Sequence, residues 1–354
     1  MDKILIRADG NANIGAGHIM RCMSIAVAAR EQGIETLFVV ADNSFYGLLK
    51  NSGFAVEVLN TDYSKMEAEF EILKHYIESF KPTVTLIDSY YVTEAYLSNI
   101  KKYSKLAYID DVKAFAYPVD ILINYNIYAE DLCYEDLYNK SNINVPELML
   151  GGAFIPLRKE FQGMEEVISK RNVTDILFSA GGADPERIAL NFVKVVIDNE
   201  KLQDYNFHVI LGKFEPDVNE INDIAKENKN IIVHENVSHM AEVMKKCDIA
   251  ISAAGSTLYE LCACGIPTIT YILADNQVLG AVTMEKKEIM LNVGDYRYSS
   301  DFFEILVDKI VSLCGTYEMR HKMHNLARKA VDGKGTVRIV QQLTTFNKNE
   351  STLE

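Results

Sequence analysis

Residues 7 to 22 read RADGNANIGAGHIMRC, a set of residue types suited to activating a water or hydroxyl beside an anionic ligand. Gly10, Gly15 and Gly17 lie between an apolar strand pattern and a helical one. Missing side chains there let backbone N–H groups approach a ligand, and a helix N-terminus favours negative charge. His18 follows at the first turn of the helix; a histidine titrates near about 6.5 in water, which suits it to accept a proton at neutral pH. The alternative is a capping or internally bonded histidine, and the glycine loop before it at a strand's carboxyl end favours the base. The same segment offers Arg7, Asp9 and Arg21 as polar ligand contacts. A dinucleotide role fits poorly, because the glycines are not spaced GxGxxG and no acidic residue closes the next strand, TLFVV, before Asp42.

A second constellation is LIDSYYV, residues 86 to 92, where an apolar strand ends in Asp88, Ser89, Tyr90 and Tyr91. Polar residues at such an end face the ligand crevice of an open α/β sheet. Tyr90 could hydrogen-bond a substrate or orient a water, or it could be a rim aromatic. Asp110 and Asp111 close the following strand, YIDDV, and serve better as caps or loop anchors than as a magnesium site, since no His or Cys lies near them. Downstream, SAGGADPE places Gly181 and Gly182 in another glycine turn whose amides could take a phosphate, with Pro185 opening a helix. In ISAAGSTLYELCACGIPTI, the hydroxyls and amides of Ser256 and Thr257 at a helix start could bind a diphosphate, and Glu260 one turn on could take ribose hydroxyls. The next strand ends in ADNQ, which turns Asn276 and Gln277 toward the same crevice.

These residues sit where β-branched runs give way to amphipathic stretches, and that alternation repeats almost from end to end. It predicts an α/β fold with parallel strands joined by helices. Strands are expected near residues 4–7, 36–40, 56–59, 83–87, 105–109, 121–123 and 148–150, and again near 175–179, 207–211, 231–233, 249–252 and 268–271. Both series open with a strand, a glycine-rich turn and a helix, as two similar Rossmann-like domains facing one cleft would. The first domain is expected over 1–155 and the second over 171–346 with helices at its end, joined by a linker at 156–170. The last residues, NKNESTLE, read as a frayed end.

The composition fits this picture. A chain of 354 residues with 48% hydrophobic content can bury two cores. With 36 basic against 50 acidic residues and no Lys/Arg cluster, nucleic acid is an unsuitable partner, so an anion must be bound locally by amides. The start, MDKILIRADG, lacks the pattern of a signal peptide, and no apolar run approaches the roughly 18 residues of a membrane span, so a cytoplasmic protein without membrane insertion is expected. The six cysteines read as buried free thiols; Cys262 and Cys264 alone are close together, and one CxC pair is poor zinc spacing. His321 and His324 fall on a polar helical pattern and are expected in solvent. No metal or cofactor is expected, and a monomer is the default for a two-domain hinge.

In order, IRADGNANIGAGHIMRC, LIDSYYV, YIDDV with DILINYN, GGAFIPLRKEF, SAGGADP, AAGSTLYELCACGIPT and ADNQ resemble the signature segments of the pseudaminic acid pathway UDP-sugar hydrolases, in the MurG-like glycosyltransferase-B superfamily. The resemblance covers about residues 1 to 290. It implies a glycosyltransferase-B fold whose first domain holds the sugar and whose second holds UDP. It implies hydrolysis of UDP-2,4-diacetamido-2,4,6-trideoxy-β-L-altropyranose by water attacking the anomeric carbon with inversion, on the way to a nonulosonic acid for flagellar or cell-surface glycans. His18 falls on that family's base, and Tyr90 and Asn276 on residues that position water or sugar. Ser256, Thr257 and Glu260 fall on the UDP contacts, with Gly181 and Gly182 near the phosphates. A MurG-like or spore-coat-polysaccharide transferase would use the same cleft, with an acceptor hydroxyl in place of water.

Overall fold

The apolar runs form parallel sheets whose central strands are buried along their whole length, as helices over both faces require. The computed structural model describes residues 2–164, 170–182, 184–212 and 215–345, in two units. The first unit holds β1 (Lys3–Ala8), β2 (Glu35–Val40), β3 (Ala55–Val58), β4 (Val84–Asp88), β5 (Leu106–Ile109), β6 (Ile121–Asn124) and β7 (Glu147–Leu150). They pair in parallel in the order β3-β2-β1-β4-β5-β6-β7. Alternation along β1 sends Ile4, Ile6 and Ala8 into the core on one face and Leu5 into the core on the other.

The second unit holds β8 (Asp175–Ser179), β9 (Asn206–Leu211), β10 (Ile231–Glu235), β11 (Ile249–Ala253), β12 (Thr268–Ile272) and β13 (Met290–Asp295). All are parallel, in the order β10-β9-β8-β11-β12-β13. One of its cores is built around Phe178 and Phe192, whose rings stack with centroids 4.1 Å apart. The twelve expected strands form within a residue or two of their expected ends, and β13 was not foreseen. Its sequence, MLNVGD, carries Asn292 and a glycine with φ of 108°, and its pairing with β12 shifts register between Thr270 and Ile272. Such a segment is weak as a strand by itself and is held by its neighbour.

The domain boundary also needs correction. The first unit runs through Lys159 and resumes at Lys334, so the last helix, Gly335–Thr345, belongs to it and not to the second domain. Ile339, Val340 and Leu343 are buried in the same core as Ile19, Cys22 and Ile25 of the helix Gly17–Glu31. The amphipathic pattern showed that this helix needs an apolar partner, not which one. Residues 165–169 of the expected linker and the expected frayed end, 347–354, lie outside the described residues. Among the described residues no helix is long and apolar enough to cross a membrane.

Two side-chain expectations change as well. His324 is buried, with Nδ1 2.6 Å from the carbonyl of Gly265, and Cys133 is the one exposed cysteine. Ile339→Ala is expected to destabilise the first unit by about 2–4 kcal/mol through the cavity it leaves. Hydrogen exchange read strand by strand should show faster opening of β1 and β4 with β8 and β11 unchanged; equal loss in both sheets would contradict the assignment of this helix.

Candidate active site

In each sheet the strand order reverses at one place, between β1 and β4 in the first and between β8 and β11 in the second. Loops leaving the carboxyl ends of such neighbouring strands diverge to opposite faces and open a crevice, the usual ligand position in open α/β sheets. The first unit puts the glycine loop and His18 after β1, and Asp88, Ser89 and Tyr90 at the end of β4. Ala8 and Asp88 are register partners across the two strands.

The loop after β1 is tied to itself. Asn11 and Gly15 exchange backbone hydrogen bonds of 3.2 and 2.8 Å, and the Asn11 side chain accepts from the amides of Asn13 and Ile14. Gly15 takes φ of 72°, where a side chain would be strained, so its glycine identity serves the loop's shape. Its amide is spent inside the loop, which removes that N–H from the expected ligand contacts. Gly17 opens the helix, and first-turn amides have no acceptors within the helix itself.

His18 is buried in the first turn of that helix, with Nδ1 2.6 Å from Oδ1 of Asp88. Arg21, three residues on and so on the same helical face, donates two hydrogen bonds of 2.6 Å to Asp88 and one of 2.7 Å to Asp111. It also bonds the Tyr125 hydroxyl. The Arg21 Nη2 atom lies 3.0 Å from His18 Nδ1 as well, but an ionised carboxylate can only accept. The shorter contact therefore fixes the proton on Nδ1, which donates to Asp88 and leaves Nε2 as the ring's acceptor. Burial by itself would raise the Asp88 carboxyl, yet the charge of Arg21 and the hydrogen bonds from Arg21 and His18 hold it well below the usual carboxylate range. Cys22 adds a thiol contact at 3.4 Å.

Tyr90 packs edge-on to His18, with centroids 4.6 Å apart, and its hydroxyl donates to Asp111 at 3.2 Å. The residue is 53% exposed. Desolvation of the phenol and the Asp111 carboxylate push its pKa up, so it remains a donor at neutral pH. Asp110 is fully buried and accepts from the amides of Val112 and Lys113 and the hydroxyls of Tyr117 and Tyr134, which makes it a loop anchor.

Three other expected ligand contacts turn inward. Arg7 occupies an inward position of β1 and is fully buried, paired bidentately with Glu69 at 2.7 and 2.8 Å and with Asp9 at 2.6 Å. Asp9 accepts from the amide of Ala41. Arg21 is consumed by its two carboxylates. All three act on the shape of the site, and Arg7 and Asp9 leave the ligand set. Sequence did not show that Asp111 and Tyr125 join His18 through Arg21, or that Glu69 pairs with Arg7; the three-residue spacing of His18 and Arg21 on one helix was the available signal for the first.

The second unit carries its own set at the carboxyl ends of β8, β11 and β12. Gly181 has φ of 100°, and the turn Gly181–Gly182 lies so close to Gly212, after β9, that a Cβ there would sit 2.5 Å from the Gly182 carbonyl oxygen. Gly212 was missed, although a glycine just past a strand end was the available signal. Ser256 precedes the helix Thr257–Cys264 without capping it by its side chain, so its exposed hydroxyl is not used as a cap. Glu260 is half-buried in that helix's first turn. Asn276 and Gln277 lie in the first turn of the helix Asp275–Lys286, not at a strand end as expected. Asn276 is exposed, and Gln277 Oε1 accepts from the amide of Leu273 at 2.8 Å, a local tie that occupies its acceptor. Among the described residues no group of three or more His, Cys, Asp or Glu side chains is placed to hold a metal ion.

Comparison with known proteins agrees with this architecture. Residues 176–334 match the family profile described as glycosyltransferase family 28 C-terminal domain. The chain is 25% identical over 351 residues to the spore coat polysaccharide biosynthesis protein SpsG of Bacillus subtilis, covering 98% of each. It is 26% identical over 296 residues to the UDP-2,4-diacetamido-2,4,6-trideoxy-beta-L-altropyranose hydrolase of Campylobacter jejuni, covering 80% of this chain and 97% of that one. A third relative, an uncharacterized protein of Methanocaldococcus jannaschii, is 26% identical over 287 residues, or 78% of this chain; the chain spans only 56% of that protein's length. The crystal structure of Acinetobacter baumannii MurG superposes with a TM-score of 0.69 at 12% identity, over 97% of this chain and 99% of that one. The protein has the glycosyltransferase-B fold, of two Rossmann-like α/β units.

The Asp88 arrangement predicts a pH signature. A carboxyl with a depressed folded-state pKa contributes stability that is present above its unfolded value of about 3.9 and is lost as the pH falls through the folded value. Denaturant titrations of wild type and Asp88→Asn should therefore differ by a constant amount near neutral pH and converge only below about pH 4. A gap that closes between pH 6 and 8 would assign the stabilisation to a different group.

Proposed function

We propose that this protein hydrolyses a UDP-linked deoxyamino sugar, with His18 as the base that activates water. The observation that carries the reading is the 2.6 Å contact of His18 Nδ1 with Asp88, which turns Nε2 into the acceptor. Resemblance to the Campylobacter jejuni hydrolase supports UDP-2,4-diacetamido-2,4,6-trideoxy-β-L-altropyranose as the substrate. Water gives its proton to Nε2 as its oxygen bonds the anomeric carbon. The bond from that carbon to the β-phosphate oxygen breaks, its electron pair leaves with UDP, and the sugar is released with inverted configuration. A phosphate whose second pKa is about 6 leaves without a general acid, so one base suffices.

In this reading Asp88 holds the tautomer and faces the imidazolium that forms, as a carboxylate does behind a catalytic histidine. Tyr90, a persistent donor beside the ring, orients water or a sugar oxygen. In the second unit Gly181, Gly182, Ser256 and Thr257 take the diphosphate, Glu260 the ribose, and Asn276 a substrate hydroxyl or amide. The protein works as a cytoplasmic monomer without a metal, and its product feeds a nonulosonic acid for surface or flagellar glycans.

A second reading is a transferase that uses the same base on an acceptor hydroxyl. The match of residues 176–334 to the glycosyltransferase family 28 C-terminal domain profile favours it, and so does the likeness to a spore coat polysaccharide biosynthesis protein over nearly the whole of both chains. Turnover of the donor in heavy-oxygen water separates the two. Label in the free sugar, with a rate indifferent to added acceptor sugars, supports hydrolysis. Slow UDP release that an acceptor strongly accelerates supports transfer, and label in UDP would move the attack to phosphorus and undo the mechanism. His18→Gln should lower kcat by about 10²–10⁴-fold, the range for losing a general base, with UDP affinity unchanged in calorimetric titration. Full activity in that variant would remove His18 from the role.

A further inference from the structure

Beside His18 the first unit carries an aromatic group that neither the base nor its carboxylates require. Tyr91, next to Tyr90, is 39% exposed, and its ring meets that of Tyr63 edge to face with centroids 5.4 Å apart. The Tyr63 hydroxyl accepts from the Asn13 side-chain amide at 3.4 Å, a long contact from the glycine loop. Val112, directly after Asp111, is the most exposed of the surrounding apolar residues at 58%. Through Asn13–Tyr63, Tyr63–Tyr91 and Tyr90–Asp111 the loops after β1, β3, β4 and β5 meet one another, at the carboxyl ends where this fold places ligands, and Tyr90 joins them to His18.

This aromatic rim is held in place. Asp62 accepts from the amide and hydroxyl of Ser64 at 3.0 and 2.7 Å, which fixes the turn bearing Tyr63. The amide of Tyr91 donates to Ser89 Oγ, and Thr93 donates to Glu67, joining the loop after β4 to the turn after β3. Tyr91 is exposed and Tyr63 half-buried, and aromatic rings fixed by their own backbone ties lose little entropy on contact and suit a ligand that presents C–H groups and methyls.

We propose that Tyr63 and Tyr91 are specificity-determining residues that pack against the apolar face of the donor sugar, and that Asn13 hydrogen-bonds a substituent at the same edge. The inference rests on the UDP-sugar reading above and deepens it. It assigns the first unit to a deoxy sugar bearing methyl or acetamido groups in preference to a fully hydroxylated hexose, because hydroxyls against these rings would lose water without regaining a partner.

The test compares kcat and KM of the full-length protein on UDP-2,4-diacetamido-2,4,6-trideoxyaltrose and on UDP-glucose, for wild type, Tyr91→Ala, Tyr91→Phe and Tyr63→Ala. Removing on the order of 60 Å² of apolar contact is expected to raise KM for the trideoxy donor about tenfold in either alanine variant. In the same variants kcat and inhibition by UDP stay unchanged, and Tyr91→Phe behaves as wild type. Thermal unfolding identifies a variant that has failed to fold, in which case the other alanine variant decides. A KM within about twofold of wild type, or an equal loss for both donors, overturns the proposal and leaves the hydrolase reading intact. Should wild type turn over neither donor, the hydrolase reading fails instead. Saturation-transfer spectra with the free trideoxy sugar then decide the rim: methyl signals abolished by Tyr91→Ala uphold it, and unchanged signals overturn it.

Discussion

A single buried carboxylate organises the first unit's chemistry. Asp88 ends β4 almost without solvent, where an ionised group is tolerated only if it is fully bonded and paired. His18, Arg21 and Cys22 supply those bonds, all from one helix, so the requirement to satisfy Asp88 fixes the rotation of that helix against the sheet. Arg21 then reaches Asp111 beyond β5, and Asp111 accepts from Tyr90. Two carboxylates face one guanidinium, which leaves a formal negative charge beside the imidazole.

A second buried network supports the first from below. Arg7, Glu69 and Asp9 join β1 to the turn Met66–Glu69 and, through the Ala41 amide, to the end of β2. Tyr96 and Thr61 also donate to Glu69. Burial raises the Asp9 carboxyl even beside Arg7, a sign that this cluster trades desolvation against pairing rather than gaining freely from it. Its effect is to hold the root of the glycine loop, since Asp9 immediately precedes Gly10.

These networks also mark where sequence reading stops. Strand positions were legible because β-branched runs between glycine turns have few other uses, and the places of His18 and Asp88 were legible because one opens a helix behind a glycine loop and the other ends an apolar strand. Arg7 was misjudged: adjacency to the glycine loop drew it toward the ligand, whereas strand alternation puts it on the Leu5 face, inside the core. That it is buried as an ion depends on Glu69, 62 residues away, and no local pattern announces such a pairing. His324 was misplaced for the same reason, because its acceptor is a carbonyl, Gly265 O, of a distant turn. The pair His208 and His234, with ring nitrogens 2.9 Å apart on neighbouring strands, was invisible until β9 and β10 were known to be adjacent.

On the proposed reading, an acidic chain has to bind an anion. With a net charge of -14, long-range attraction is unavailable, and recognition has to come from oriented dipoles within a few ångströms. Glycine turns answer this well: the close approach of Gly212 to Gly181–Gly182 shapes the second unit's turn from backbone alone, with no flexible cation to immobilise. In the first unit, by contrast, Arg7, Asp9, Arg21 and Asp88 are paired internally, and Tyr90, Tyr91 and Val112, next to that network in the chain, are exposed aromatic and apolar residues. That contrast separates binding from chemistry: the charge of the ligand is met by amides that do not titrate, and the proton is taken by a histidine held by Asp88.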